Sequence, residues 1–562
     1  MAISTAKGSR NLEAVTPLLV RDDDEVLEGY VDYRGYPSKR SKSGGWRSAS
    51  LILGGGSLER FAFRGIECNL VNYLTGPLGQ SMAIAAGNVN LWTGLGSLMP
   101  VFGAIVADSF LGLYQTNIIS SILYILGLGF STLAVALISN NQETSRIAAV
   151  PSTELQVLFF ASLYLVALAQ GYQSTIQVFG ADQFDRQHQE ESKANTSFFN
   201  WWLFGLSLGV ALAYLILPYI QENIGWGIGF GIPCLAMVIG LVLLLLGHRT
   251  YRFAIRRDDT CPCSHEDDQE ASQNNPQQII PTHEFPNKVL HAKKDDTKEN
   301  IISGSSRRKH TEVKKTLKLL PIWSSCLMYA IAWAQVPTFF TKQATGVDKS
   351  IGQSFNIPSA SLRVFIPLTT MCCTPIYDRV FVPLARIVTE NPSGITEFQR
   401  IKIGMTISVL DMVIAALVEK KRLGIAQEYG LIDIPNSTVP MSFWLLVPQN
   451  MLCSIAYVFT VVGMQKFFYD QVPTELRSIG LSLSFGALGV GNFLSSLLIF
   501  VIDEITSQNG RDSWFSNNLN RAHLDYFYWL LAGLGFLGLV AFAFLEKSFS
   551  KENISLERTA PA

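Results

Sequence analysis

The chain has 562 residues, 48% hydrophobic and only 16% charged, with 44 basic side chains against 45 acidic ones. Soluble domains carry about 25% charged residues, so an ordinary soluble protein is excluded, and the balanced charge offers nucleic acid no basic face. The eight cysteines are scattered, mostly in apolar runs, and none has metal-ligand spacing, so no metal centre is expected.

Residues 1–46 are polar and lack the apolar stretch of a cleaved signal peptide. They hold "EAVTPLL", in which Glu13 precedes Leu18 and Leu19 in the manner of an acidic dileucine sorting signal, and the basic "SKRSKSGGWR". A membrane-crossing helix needs roughly 20 mostly apolar residues. Six such runs follow, at about 48–74, 88–106, 116–138, 155–179, 198–219 and 229–246. A polar stretch, 249–316, then carries "RRDD", "HEDDQE" and "SSRRKH"; its low hydrophobicity and mixed charge predict a mostly disordered segment. Six more apolar runs follow, at about 317–340, 361–382, 398–418, 442–468, 480–501 and 526–545, before a polar end, 547–562. Lipid offers backbone groups no hydrogen-bond partner, so the runs are expected as helices. The expected layout is two six-helix bundles, 47–248 and 317–546, joined by 249–316. Positive charge beside the spans places both tails and the central segment in the cytoplasm. The sequon Asn436-Ser437-Thr438 then falls on the outer or lumenal side. Two such halves suit a transporter with its site between them at mid-membrane.

The first run is unusual. "GGGSLERFAFRGIECNL" carries Glu59, Arg60, Arg64 and Glu67 in an otherwise apolar stretch. At 3.6 residues per turn, Gly56, Glu59, Arg60, Phe63, Arg64 and Glu67 share one face. A charge at mid-membrane costs about 2.5–3.5 kcal/mol on insertion scales. That face must therefore line water or meet other charges, and Arg64 and Glu67 have the spacing to pair within the helix. The bland alternative is a neutralised cluster that locks helices together.

Several motifs, in order, carry a resemblance: "LERFAFRGI", "GAIVADSFLGLYQT", "FGADQFD", "FFNWW", "YIQENIGW", "PIYDRVFVP" and "FFYDQVP". They resemble the plant nitrate/peptide transporter family, a branch of the proton-dependent oligopeptide transporters in the major facilitator superfamily. The resemblance implies an all-α membrane protein with twelve transmembrane helices in two six-helix bundles, the major facilitator fold, working by alternating access. It implies a small-molecule solute (nitrate, a short peptide, a hormone or another charged metabolite), protons as the candidate coupling ion, the lipid bilayer as surroundings, and no cofactor. It also makes Asp108 a cytoplasmic gate residue, although the arginine usual in that loop is Leu113 here.

The chain departs from the family at places that matter. The first of two first-helix glutamates is Gly56, while Glu59 and Arg60 remain, and the second tyrosine of "YYG" is Arg64. On the fourth helix Gln173 stands nearest the usual lysine and Ser174 replaces the proline. The tenth-helix glutamate is Lys466 in "GMQKFFYDQ". Glu67 and Asp411 are acidic additions, while Arg64 and Lys466 are expected to move positive charge to the first and tenth helices. Lys466 is expected either to join Arg64 in holding the anionic part of a solute or to snorkel to the interface. Trp333 stands where one nitrate-transporting pattern has a histidine before Ala334-Gln335, which argues against nitrate. As a helix tryptophan it either walls a pocket or packs.

The expected substrate and proton pathway is therefore Glu59, Arg60, Arg64, Glu67, Gln173, Trp333, Gln335, Asp411 and Lys466, with Glu59 as the best remaining proton carrier. No nucleophile–base set or phosphate loop is visible, which disfavours an enzyme. The alternatives to a proton-coupled transporter of a charged or zwitterionic solute are a proton-independent facilitator and a transport-dead sensor. The expected address is the plasma membrane or a vacuolar or other endomembrane.

Overall fold

The computed structural model describes residues 26–144, 151–185, 188–254, 319–352, 355–389, 395–435, 437–471, 477–508 and 512–559. Glu13, Leu18, Leu19, Asn436 of the sequon, and the central segment from 255 to 318 lie outside them. Among the described residues, nine helices are long and apolar enough to cross a membrane. Three further helical passes stand at the remaining expected places. Gly45–Glu67 is the charged first pass. The seventh, 320–345, and the eighth, 359–389, are built of short pieces. Pro337 sits in a widened turn at Val336–Phe340 of the seventh, where a missing N–H and a ring clash forbid a regular helix. A second widened turn, Tyr377–Phe381, follows Pro375 in the eighth.

The first, second, third, fourth and sixth passes pack around Phe63, Trp92, Tyr124 and Phe159. The later six pack around Phe339, Met412, Phe515 and Phe527. Small residues bring some helices into backbone contact. A Cβ on Gly103 of the second pass would lie 2.5 Å from the Cα of Gly171 in the fourth. There the fourth pass tightens over Ala169–Gly171, which turns Gln170 inward.

The end of the bundle that carries residues 26–46 and 249–254 is called the tail end here. Strands β1 (Val26–Val31), β2 (Pro37–Lys39) and β3 (Phe253–Ala254) form a sheet in the order β2-β1-β3. Arg252 is buried beneath it, bound to Glu191 at 2.6 Å and to the Ser43 carbonyl at 2.7 Å. Arg40 reaches Asp185 at 2.8 Å, so the "FGADQFD" segment fastens both flanking segments to the fourth and fifth passes.

Hydrogen bonds between the two halves gather at the opposite, far end. Asn90 donates to Ser495 at 3.1 Å, Ser496 to the Gly87 carbonyl at 3.0 Å, and Asn72 to Ser359 at 3.0 Å. The backbone N–H of Met82 donates to Asn517 at 2.9 Å. The far end is thus sealed by contacts between the halves.

Candidate functional site

Between the halves lies a cavity of about 320 Å³. Gly56, Glu59, Arg60, Phe63, Arg64 and Glu67, the face drawn from helical spacing, all line it. Gln170 and Gln173 join from the fourth pass, Trp202 and Tyr214 from the fifth, Trp333 from the seventh, Arg363 from the eighth, Tyr457 and Gln465 from the tenth, and Asn492 from the eleventh. Among the described residues, the charged lining consists of three arginines and two glutamates, one net positive charge.

Each glutamate is already engaged. Glu59 is buried, with Arg60 Nε 3.2 Å from Oε2 and Gln170 Nε2 donating to Oε1 at 3.1 Å. Gln170 also reaches the Tyr124 hydroxyl at 3.0 Å. Glu67 receives Arg64 Nη1 at 2.6 Å from its own helix and Arg363 Nη2 at 3.3 Å from the other half. The Arg363 guanidinium also lies 4.7 Å from the Tyr214 ring centroid. Buried charges in contact with opposite charges and hydrogen-bond partners are the form a low-dielectric interior tolerates. Together Glu67, Arg363 and Tyr214 close the cavity toward the far end.

Gly56 has a steric role. A Cβ there would lie 2.5 Å from Trp202 Cη2, so the indole occupies the space a glutamate side chain would need. Gly56→Glu should therefore overpack the wall and lower stability by about 1–3 kcal/mol. Thermal unfolding of the solubilised protein measures this. Trp202→Ala in the same chain should restore part of the loss, and an unchanged midpoint for Gly56→Glu alone would refute the steric reading.

The other expected residues divide. Gln173 and Trp333 line the cavity, with the Trp333 ring 4.7 Å from that of Tyr457. Ser174, in the place of the family proline, bonds the Pro100 carbonyl at 2.9 Å. Gln335 turns away from the cavity and donates to Ser495 at 2.9 Å and the Ile331 carbonyl at 2.8 Å. Asp411 is 1% exposed but buried within the second half, against Cys453 rather than on the cavity wall. Asp108 is exposed at the tail end of the second pass.

Lys466 requires a correction. It is 53% exposed, points away from the cavity, and pairs with Glu397 of the ninth pass at 2.6 Å. Its neighbour Gln465 is the cavity residue, because one step along a helix turns a side chain by about 100°. The stem packs while the ammonium reaches the polar tail end. The cation that joins Arg64 is Arg363, which sequence reasoning passed over. A signal was present: "SASLRVFIP" puts an arginine at the start of an apolar run on the side where the charge rule expects few.

A sequence model described as the POT family matches residues 114–515. The chain is 49% identical to "Protein NRT1/ PTR FAMILY 5.10" of Arabidopsis thaliana, over 96% of this chain and 98% of that one. It is 48% identical to "Protein NRT1/ PTR FAMILY 5.14" of the same plant, over 94% and 97%. In fold it resembles an auto-inhibited POT family peptide transporter, with TM-score 0.65, 19% identity and coverage of 89% and 97%. A second solved structure, the POT family transporter PepTSo, gives TM-score 0.65 at 19% identity, over 90% and 98%. These neighbours share the two-bundle major facilitator architecture. The chain belongs to the POT family and is a multi-pass membrane transporter of small solutes.

Proposed function

We propose that the cavity carries a small charged solute whose anionic group docks on Arg60, Arg64 and Arg363, with the halves rocking about it. The single observation behind this is that both cavity glutamates are already held by arginines, which leaves net positive charge facing the solute. An anion gains from that field, and an ammonium group finds no free carboxylate among the described lining residues. The substrate class spans peptides, amino-acid-derived metabolites, nitrate and hormones, and the charge balance favours its anionic members. One relative in fold is a peptide transporter solved with alafosfalin, another with sulfate. Glu59 is the proposed proton carrier, since among the described residues its one cation in contact is the neighbouring Arg60.

A second reading is supported by Gly56 and Gln173, which stand where family members carry a glutamate and a lysine. Without those partners the chain would act as a proton-independent facilitator. Uptake of a solute panel into sealed vesicles, with and without a pH gradient, separates the readings. The coupled reading expects anion uptake that collapses with the gradient. Uptake indifferent to the gradient supports the facilitator, and no uptake of any anion counts against both.

The proposed placement has both tails and the central segment 249–316 in the cytoplasm, with bundles at 47–248 and 317–546. The basic clusters beside the spans support it. Glu13, Leu18 and Leu19 support an address at least partly in vacuolar or other endomembranes, beside the plasma membrane.

A further inference from the structure

The three cavity arginines are not equally committed. Arg363 gives Nη2 to Glu67, and its Nε and Nη1 are buried. Arg64 gives Nη1 to Glu67. Arg60 pairs only through Nε, 3.2 Å from Glu59, and among the described residues neither of its Nη groups has a protein partner. Arg60 lines the cavity, so this two-pronged edge is open to it. A guanidinium edge of that kind takes a carboxylate by two parallel hydrogen bonds.

The tail side of the cavity has a different chemistry. Gln173 and Gln177, four residues apart and so on one face of the fourth pass, line it together with Gln465 of the tenth. Among the described residues none of these three side-chain amides has a hydrogen-bond partner in the protein. Gln170, nearer the far end of the fourth pass, is bonded to Glu59 beside Arg60. At about 1.5 Å per residue, Gln173 and Gln177 stand roughly 5 and 10 Å closer to the tail end than Gln170. Gln465 lies within two turns of Gln471, where its helix stops at the tail end, and Gln177 within two turns of Ala181, where its own helix stops. The remaining wall includes Ile176 and Trp202 from the first half and Ile366 and Pro367 from the second. An amide side chain offers a donor and an acceptor without charge, and a hydroxyl or amide of a solute matches both. An ammonium group stripped of water needs a carboxylate, and Glu59 and Glu67 are already held by arginines.

We propose that the chain selects an organic monoanion that carries an uncharged hydroxyl or amide group roughly 5–10 Å from its carboxylate. The carboxylate takes the open edge of Arg60. The uncharged group bridges Gln173 or Gln177 of the first half to Gln465 of the second. That bridge exists only when the tail ends of the halves are close, so such a solute favours closure over the cavity. Nitrate fills the first position and leaves the second empty. A zwitterion fills the first and puts an unpaired ammonium at the second. This inference rests on the anion-docking reading and adds a second recognition point to it, with Gln465 as the specificity-determining residue.

The test is calorimetric titration of the full chain in lipid nanodiscs with caproate, ε-aminocaproate, N-acetyl-ε-aminocaproate and N-acetylglycine. The N-acetyl-ε-aminocaproate anion is expected to bind more tightly than caproate or ε-aminocaproate by about three- to tenfold, the worth of one net hydrogen bond. N-acetylglycine has the same two groups too close together and should gain nothing over caproate. Gln465→Leu should bring N-acetyl-ε-aminocaproate down to the level of caproate and leave caproate unchanged. Gln465→Glu should reverse the preference in favour of ε-aminocaproate. Equal binding of caproate and N-acetyl-ε-aminocaproate by the parent chain overturns the proposal, however the variants fold. So does a Gln465→Leu protein that binds caproate normally and keeps the full difference. Caproate binding that is weakened by Arg60→Ala reports separately on the anion-docking reading, which survives if only the second recognition point fails. Binding of none of these anions overturns both.

Discussion

Arg422→Ala should leave little folded protein. Arg422 and Glu419 are both fully buried near the far end of the ninth pass, paired at 2.7 Å. Arg422 Nη1 also donates to Asn520 at 2.6 Å and Nη2 to the Leu519 carbonyl at 2.6 Å, which fixes the loop before the last pass. Glu419 accepts from Gln343 at 2.8 Å, and Gln343 in turn accepts from Gln449 at 3.0 Å. Loss of the arginine strands Glu419 as an uncompensated buried charge and costs about 3–5 kcal/mol. Whole proteins are stable by only about 5–15 kcal/mol. Size-exclusion elution and thermal unfolding of the solubilised variant measure the effect. Changing Glu419 and Arg422 together to leucine and methionine should recover much of it, because a buried ion pair replaced by apolar side chains is often tolerated. An unfolding midpoint for Arg422→Ala equal to that of the parent would refute the network's role.

The second large effect is expected in the cavity. Arg60→Ala removes the only cation in contact with Glu59 among the described residues and one of the three arginines that line the cavity there. Stranding a buried charge at about 3–5 kcal/mol, if felt in full by the transport cycle, corresponds to a loss on the order of 10²–10⁴-fold in uptake at matched abundance. Lys466→Gln makes the contrast. Lys466 and Glu397 form a half-exposed pair at the tail end, of a kind worth about 0–1 kcal/mol, so uptake should stay within about threefold of the parent. Radiotracer uptake, normalised to surface protein, decides both. Arg60→Ala transport close to the parent rate would remove Arg60 from the site, and a severe loss from Lys466→Gln would restore a role for the tenth-pass lysine.

Local spacing determined a good part of this protein. Apolar runs long enough to cross a bilayer are readable one at a time, since lipid forces each to satisfy its own backbone. The cavity face of the first pass was readable for the same reason: Gly56, Glu59, Arg60, Phe63, Arg64 and Glu67 lie on one side of a helix wherever that helix packs. The Arg64–Glu67 pair follows from their three-residue spacing alone. Periodicity does not give the rotation of one helix against another. Gln335, Asp411 and Lys466 are polar side chains within apolar runs, and packing turned Gln335 toward Ser495, Asp411 toward Cys453 and Lys466 toward Glu397. Gln465, one residue away from Lys466, lines the cavity instead. Arg363 meets Glu67 across 296 residues of chain. No local pattern encodes a contact that exists only because two bundles close on each other, and the far-end seal was decided there.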